Sequence, residues 1–213
     1  MYFQDQAIIL FSQPQREYDL LIKAYTSKYG KIILKARGAQ KIISKLAGHL
    51  QPITLSELNW VSGKSSHQLT GAETISSFSN LKKDIVRTSY ALYFLELVDL
   101  SSQPEHPDQK IFGLLISFLD WLEKVPPQKL KITSLIFIYK LLAILGLSPL
   151  LKKNPDSDEF KLLRQIISAP TVDTLELNFS EKNLVHLSQD AQQFLSEAFE
   201  VEIKTGEFLK KIK

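Results

Sequence analysis

Ser27-Lys28-Tyr29-Gly30-Lys31-Ile32-Ile33-Leu34-Lys35-Ala36-Arg37-Gly38 is the stretch that decides the fold of the first third of this chain. Ser27 to Gly30 reads as a turn, and Gly38 ends the run that follows. Between them Ile32, Leu34 and Ala36 alternate with Lys31, Ile33, Lys35 and Arg37, a period of two that defines a strand. Parity sends the three apolar residues to one face and the cations Lys31, Lys35 and Arg37 to the other.

Outward from this strand the same period recurs. Tyr18, Leu20, Ile22 and Ala24 alternate just upstream and form its hairpin partner. The apolar run Ala7 to Phe11, ended by Gln13-Pro14, supplies a first strand. Downstream, Ile53 to Trp60 predicts a fourth, and its apolar parity slips from Ile53 and Leu55 to Leu58 and Trp60. A one-residue slip predicts a β-bulge, which bends a sheet sharply. Gly63-Lys64-Ser65 makes a turn, and His67 to Ala72 gives a fifth strand. Five short strands with one bent predict a small closed barrel, most commonly an OB-fold.

Near Asn80 the period lengthens. Leu81, Ile85, Thr88, Leu92 and Leu95 fall at spacings of four and three, one face of a long helix. Pro104 and Pro107 interrupt it. Lys110 to Lys124 predicts a second helix with Ile111, Leu115, Phe118 and Leu122 inward. Pro126-Pro127 ends that, and Lys131 to Leu145 predicts a third, capped by Gly146. Asp158 to Ser168 and Ser188 to Glu202 complete the set. The expected fold class is α+β: a five-stranded OB-fold barrel over residues 1–79 and an α-helical bundle domain over residues 80–213.

Composition limits the chemistry. The chain has 213 residues, 44% hydrophobic and 23% charged, enough for a packed core. It contains no cysteine, which excludes disulfides, cysteine nucleophiles and thiolate metal sites. The opening Met1-Tyr2-Phe3-Gln4-Asp5 has neither the basic flank nor the apolar run of a signal peptide. The most apolar stretch, Ile132 to Leu147, is too short for a membrane span and carries Lys140 in its middle. We therefore expect a cytoplasmic protein with no membrane partner.

The net charge of +3 is unevenly spread. Residues 1–80 hold nine Lys/Arg against five Asp/Glu, whereas residues 81–213 hold seventeen against eighteen. Lys23, Lys28, Lys31, Lys35, Arg37, Lys41 and Lys45 occur with no acid between Asp19 and Glu57. That asymmetry is the footprint of a polyanion-binding surface. Cations along one strand and its exit loop can follow a phosphate backbone and release its counterions. Tyr25 and Tyr29 are candidate stacking platforms for bases, although half-buried strand tyrosines more often pack. A solvated basic face with no partner is the bland alternative.

The ordered series of residues around this strand carries a family resemblance. Thr26-Ser27-Lys28-Tyr29-Gly30-Lys31, Ala36-Arg37-Gly38-Ala39, Ser44-Lys45, Gly48 and Leu50-Gln51-Pro52 resemble the RecO N-terminal domain, as do Ala7-Ile8-Ile9-Leu10 and Glu17-Tyr18-Asp19. Ala72-Glu73, Phe78, Leu81, Asp84, Ala91, Tyr93 and Leu95-Glu96-Leu97 resemble the barrel exit and first helix of that family. Gly146-Leu147-Ser148-Pro149 and Lys204-Thr205-Gly206-Glu207-Phe208-Leu209 match its later pattern more loosely. The resemblance implies binding of single-stranded and double-stranded DNA, annealing of complementary strands, and partnership with RecR. It also implies help in loading RecA onto DNA coated by the single-stranded DNA-binding protein, whose acidic C-terminal tail such proteins bind. Carried over by position, the DNA-binding residues are Lys31, Lys35, Arg37, Lys41 and Lys45.

One departure bears on metals. Many members of that family place the first of four zinc-binding cysteines just after the Gly-x-x-Pro segment, where this chain has Asn154. His49, His67, His106 and His186 lack the spacing for a substitute site. No metal or other cofactor is expected, and Lys152 to Asp158 reads as a trimmed loop.

Other signals carry less. Gly63-Lys64-Ser65 ends like a P-loop, but that motif needs a glycine where Leu58 stands. Asp156, Asp158 and Glu159 read as a loop and helix start, and Trp121 as bundle core. Lys129, Lys131, Lys152 and Lys153 are weak candidates for the tail-binding rim. No hydrolase motif is present, so covalent catalysis is not expected. A protein-docking adaptor that holds a partner such as RecR, and a ribonucleoprotein subunit, are the competing readings.

Overall fold

A computed structural model of the protein describes residues 1–15, 17–63, 66–169, 179–199, 203, 205 and 206. Five strands, β1 (Tyr2–Pro14), β2 (Leu20–Thr26), β3 (Gly30–Ala36), β4 (Leu55–Ser62) and β5 (His67–Ser76), form the first part. They close into a barrel in the order β1-β2-β3-β5-β4, with β4 returning to β1. All pairings are antiparallel except β3 with β5, where Leu34 pairs Ser66's neighbour His67 and Lys35 pairs Gln68. This order and its single parallel closure are those of an OB-fold.

The barrel closes because β1 is long enough to pair twice. Tyr2 to Ile8 pairs with β4, and Ala7 to Pro14 pairs with β2. The β1–β2 register slips between Ile9 and Phe11, which turns the strand from one neighbour to the other. The parity slip expected in the fourth strand is also present: the β4–β5 register shifts between Leu55 and Ser56 and again between Asn59 and Trp60. β1 begins at Tyr2 rather than Ala7. Its first residues alternate too weakly in hydrophobicity to announce a strand, and pairing with β4 holds them there.

Ala7, Ile9, Ile22, Ala24, Ile32, Leu34, Ala36, Leu58 and Trp60 fill the barrel. Ile8, Leu10, Tyr25, Ile53 and Leu55 point outward and are buried against helices. The continuous run Ala7-Ile8-Ile9-Leu10 follows from this, since a strand with both faces covered needs no polar residue at alternate positions.

Beyond a short helix, α1 (Leu46–His49), the helical part comprises α2 (Ser79–Lys82), α3 (Ile85–Ser101), α4 (Gln109–Lys124), α5 (Leu130–Ile144), α6 (Asp158–Ser168) and α7 (Glu181–Phe199). The single long helix expected from Asn80 is in fact two. The Asp84 carboxylate accepts the backbone N–H groups of Val86 and Arg87 and starts α3 afresh. Ile85 is therefore 65% exposed; of the expected face Leu81 and Leu95 are buried, and Ala91, Phe94, Leu97 and Val98 join them. α4 follows expectation, with Ile111, Leu115, Phe118 and Leu122 all buried.

α5 lies at the centre, packed against α3, α4, α6 and α7. Gly146, at φ +75°, ends it as expected: its N–H bonds the Ala143 carbonyl and the Leu147 N–H reaches back to Leu142. The one charge within the apolar run is accommodated, because the Lys140 ammonium donates to the Ala169 carbonyl at 2.6 Å, beyond the last turn of α6. α6 has the expected bounds. α7 starts earlier than expected because Ser180 caps it, its hydroxyl accepting the Asn183 N–H; the expected end at Glu202 lies outside the described residues.

Candidate nucleic-acid interface

β3 divides its side chains as its sequence alternates. Ile32, Leu34 and Ala36 are buried in the barrel, and Lys31, Ile33 and Lys35 lie on the outer face, with Arg37 just past the strand end. The five sequence-predicted cations do not, however, share one environment.

Lys31 sits at the seam between barrel and helices, its side chain only 15% exposed. Its ammonium donates to the Asp99 carbonyl at 2.6 Å and pairs with the Asp99 carboxylate at 3.1 Å. Lys23 on β2 meets the same carboxylate at 2.5 Å. Two barrel lysines thus hold the last turns of α3, where the helix dipole also favours positive charge.

Lys35, Arg37, Lys41 and Lys45 lie on the outside instead, and none of them forms an ion pair among the described residues. Lys35 is partly covered; the other three are exposed. The loop that carries the last two is built on the β1–β2 hairpin. Gly38, at φ +62°, donates its N–H to the Asp19 carboxylate at 2.8 Å, and the Gln40 N–H bonds the Tyr18 carbonyl at 2.9 Å. Two turns follow, closed by Lys41 N–H to the Gly38 carbonyl and Ser44 N–H to the Lys41 carbonyl. α1 then carries the chain back to the buried Leu50.

The two tyrosines considered for stacking are placed otherwise. Tyr25 is fully buried, stacked on Phe112 of α4 with ring centroids 6.5 Å apart, and its hydroxyl meets the backbone of Asp108. It joins the two parts of the molecule and presents no face to a base. Tyr29 packs edge-on against Phe3 and Trp60 at 5.3 and 5.4 Å. The exposed ring beside the cations is Tyr18, with the Lys41 ammonium 6.0 Å from its centroid. Sequence reasoning passed over it because its strand parity suggested packing; its position in the hairpin before Leu20 was the available signal.

Lys153, a weak candidate for a tail-binding rim, is held by Glu159 at 2.8 Å and Asp190 at 2.5 Å. Lys129 and Lys131 are surface residues on the single 3-10 turn (Pro127–Lys129) before α5 and on the first turn of α5, and the side chain of Lys152 lies outside the described residues. Asn154 closes a tight turn, its carbonyl accepting from the Ser157 N–H and hydroxyl. Among the described residues no cluster of three or more His, Asp or Glu is placed to hold a metal ion. The chain after Gly63 enters β5 rather than a helix, so no P-loop is formed. No helix among the described residues is long and apolar enough to cross a membrane.

Fold and surface together define a class: an OB barrel fixed to a helical part, with cations along an outer strand and the loop that leaves it. The chain belongs to the RecO family. Residues 1–78 match the family described as recombination protein O N terminal, and residues 82–159 match recombination protein O C terminal. A DNA repair protein RecO from Listeria welshimeri is 34% identical over 149 residues, 70% of this chain and 57% of that protein. One from Cyanothece is 33% identical over 147 residues, covering 69% of this chain and 50% of its own length. Another, from Heliobacterium modesticaldum, is 35% identical over 147 residues, covering 69% and 52%. The chain thus matches about half the length of these relatives.

Proposed function

We propose that the protein is a DNA-repair and recombination accessory factor that binds DNA through residues 1–79 without covalent catalysis. In this reading Lys35, Arg37, Lys41 and Lys45 contact phosphates directly. Lys31 contributes from the seam, in competition with Asp99. The observation that carries the reading is the set of four outward cations without ionic partners among the described residues, on the barrel of a RecO-family chain. A phosphate backbone would supply the anions that such cations take up.

The finer activities belong to the same proposal. The protein binds single-stranded and double-stranded DNA, anneals complementary strands and acts with RecR. It helps load RecA onto DNA coated by the single-stranded DNA-binding protein, whose C-terminal tail it engages. Its place of action is the nucleoid.

Salt titration of single-strand binding tests the reading. Four phosphate contacts predict that log K falls with log salt at a slope of about −3, roughly 0.7 per contact. Lys35→Glu with Arg37→Glu should reduce that slope by about half and lower affinity for every sequence alike. Full affinity in the double variant would remove the site, and annealing assays with and without RecR test the finer activity.

A further inference from the structure

Two isoleucines, Ile42 and Ile43, stand in water at the tip of the basic loop, with exposures of 104% and 89%. Scattered single apolar residues on a surface are ordinary. An adjacent pair in a hydrogen-bonded turn, flanked by Lys41 and Lys45, is different. Burial of each would contribute to stability, yet the turns that follow Gly38 hold both side chains away from the core. Tyr18, 45% exposed, lies at the base of the same loop, joined to it through the Gln40 N–H and the Lys41 ammonium.

We infer that Tyr18, Ile42 and Ile43 contact unpaired bases, so that this loop grips single strands through their bases as well as their phosphates. The inference deepens the DNA-binding reading above and rests on it. Charge complementarity selects the occupant. Lys41 lies over the Tyr18 ring and, with Lys45, flanks the isoleucines along the loop, while Lys35 and Arg37 lead into it from β3. Asp19 gives one carboxylate oxygen to Gly38, and Glu17 is the exposed acid beside Tyr18. A single strand offers anions and apolar ring faces in one ligand, and ring stacking tolerates any sequence. A duplex keeps its ring faces stacked inside, so this loop discriminates against it except at ends and gaps. The loop is also a projecting tip rather than a groove, a shape suited to flat rings and poorly suited to a peptide needing walls.

Fluorescence anisotropy with two strands of equal length and phosphate number tests this, one of oligodeoxythymidylate and one abasic throughout. The full chain should bind the base-bearing strand about five- to 150-fold more tightly, the range for one stacked base. Tyr18→Ala, and Ile42→Ser with Ile43→Ser, should each lose most of that difference while leaving abasic binding unchanged. Thermal melting of the variants should match the parent, since the altered side chains are exposed. Equal affinity for the two strands, or a loss equal on both, overturns the base contact and leaves the phosphate reading standing. Failure to bind either strand overturns both. An acidic apolar peptide or anionic vesicles bound in an isoleucine-dependent way, without base discrimination, would assign the loop to that occupant and overturn the inference too.

Discussion

Lys31 and Lys35 sit four residues apart on one strand face, and their surroundings give them different work. Lys31 spends its charge on Asp99, whereas Lys35 has no ionic partner among the described residues. Lys31→Met should cost about 1–2 kcal/mol, the range for a partly buried hydrogen bond to a charged group, and lower the melting temperature by about 2–8 °C. Lys35→Met should leave the melting temperature nearly unchanged and weaken DNA binding. Asp99→Asn should do something neither lysine change does: lower stability while raising DNA affinity, because Lys23 and Lys31 lose their competing anion. Parallel melting and anisotropy measurements check all three. The parity of these residues was legible in the sequence, because glycines bracket a clean period of two. Their inequality was not. Asp99 lies far along the chain, and nothing in the local pattern of either segment announces the pairing.

Helices illustrate a similar division. α4 and α6 were readable to within a residue because their apolar stripes are regular and their starts carry Asp108 and Ser157 as caps. The break at Asp84 was carried by the same chemistry, but the spacing of Leu81, Ile85 and Thr88 continued across it. A cap outweighed a stripe there. Where the resemblance suggests a metal loop, this chain has Lys153 joining Glu159 of α6 to Asp190 of α7. Lys153→Met should cost about 1 kcal/mol, since the groups are partly solvated, and should speed hydrogen exchange in α7 before α4. Burial by itself lowers the Lys153 pKa, but the hydrogen bonds and charges of Asp190 and Glu159 outweigh it and raise the net value. The folded ammonium is thus favoured. Its contribution is complete below the ordinary lysine pKa of about 10.4 and is lost as pH rises through the folded value.

Across the whole molecule the alkaline behaviour combines opposed groups. Burial raises the pKa of Tyr93, assisted by the charge of Glu96, and that of Tyr139, assisted by Asp190 and Glu159. Both phenols stay neutral in the fold while the unfolded chain ionises near pH 10, so each removes about 1.4 kcal/mol of stability per pH unit beyond that point. Burial lowers the pKa of Lys82 and Lys140. Between their folded values and about pH 10.4 the unfolded chain holds more protons, so these two add stability as pH rises. Stability should therefore climb slightly and turn over near pH 10, as denaturant midpoints at pH 8, 9.5 and 11 would show. Tyr139→Phe should flatten the fall. A turnover well below pH 9 would contradict the assignment.

β1 belongs to two cores at once, with Ala7 and Ile9 inside the barrel and Ile8 and Leu10 against the helices. That has a consequence during synthesis. The strands leave the ribosome first, and a barrel that closes then carries Ile8, Leu10, Tyr25, Ile53 and Leu55 as an adhesive outer face. The segments that cover it emerge only afterwards, over something on the order of ten seconds. Through that interval the nascent chain is a half-built object with a finished inside and a sticky back. Its yield in a cell should depend on how quickly the helices arrive, or on what shields that face meanwhile.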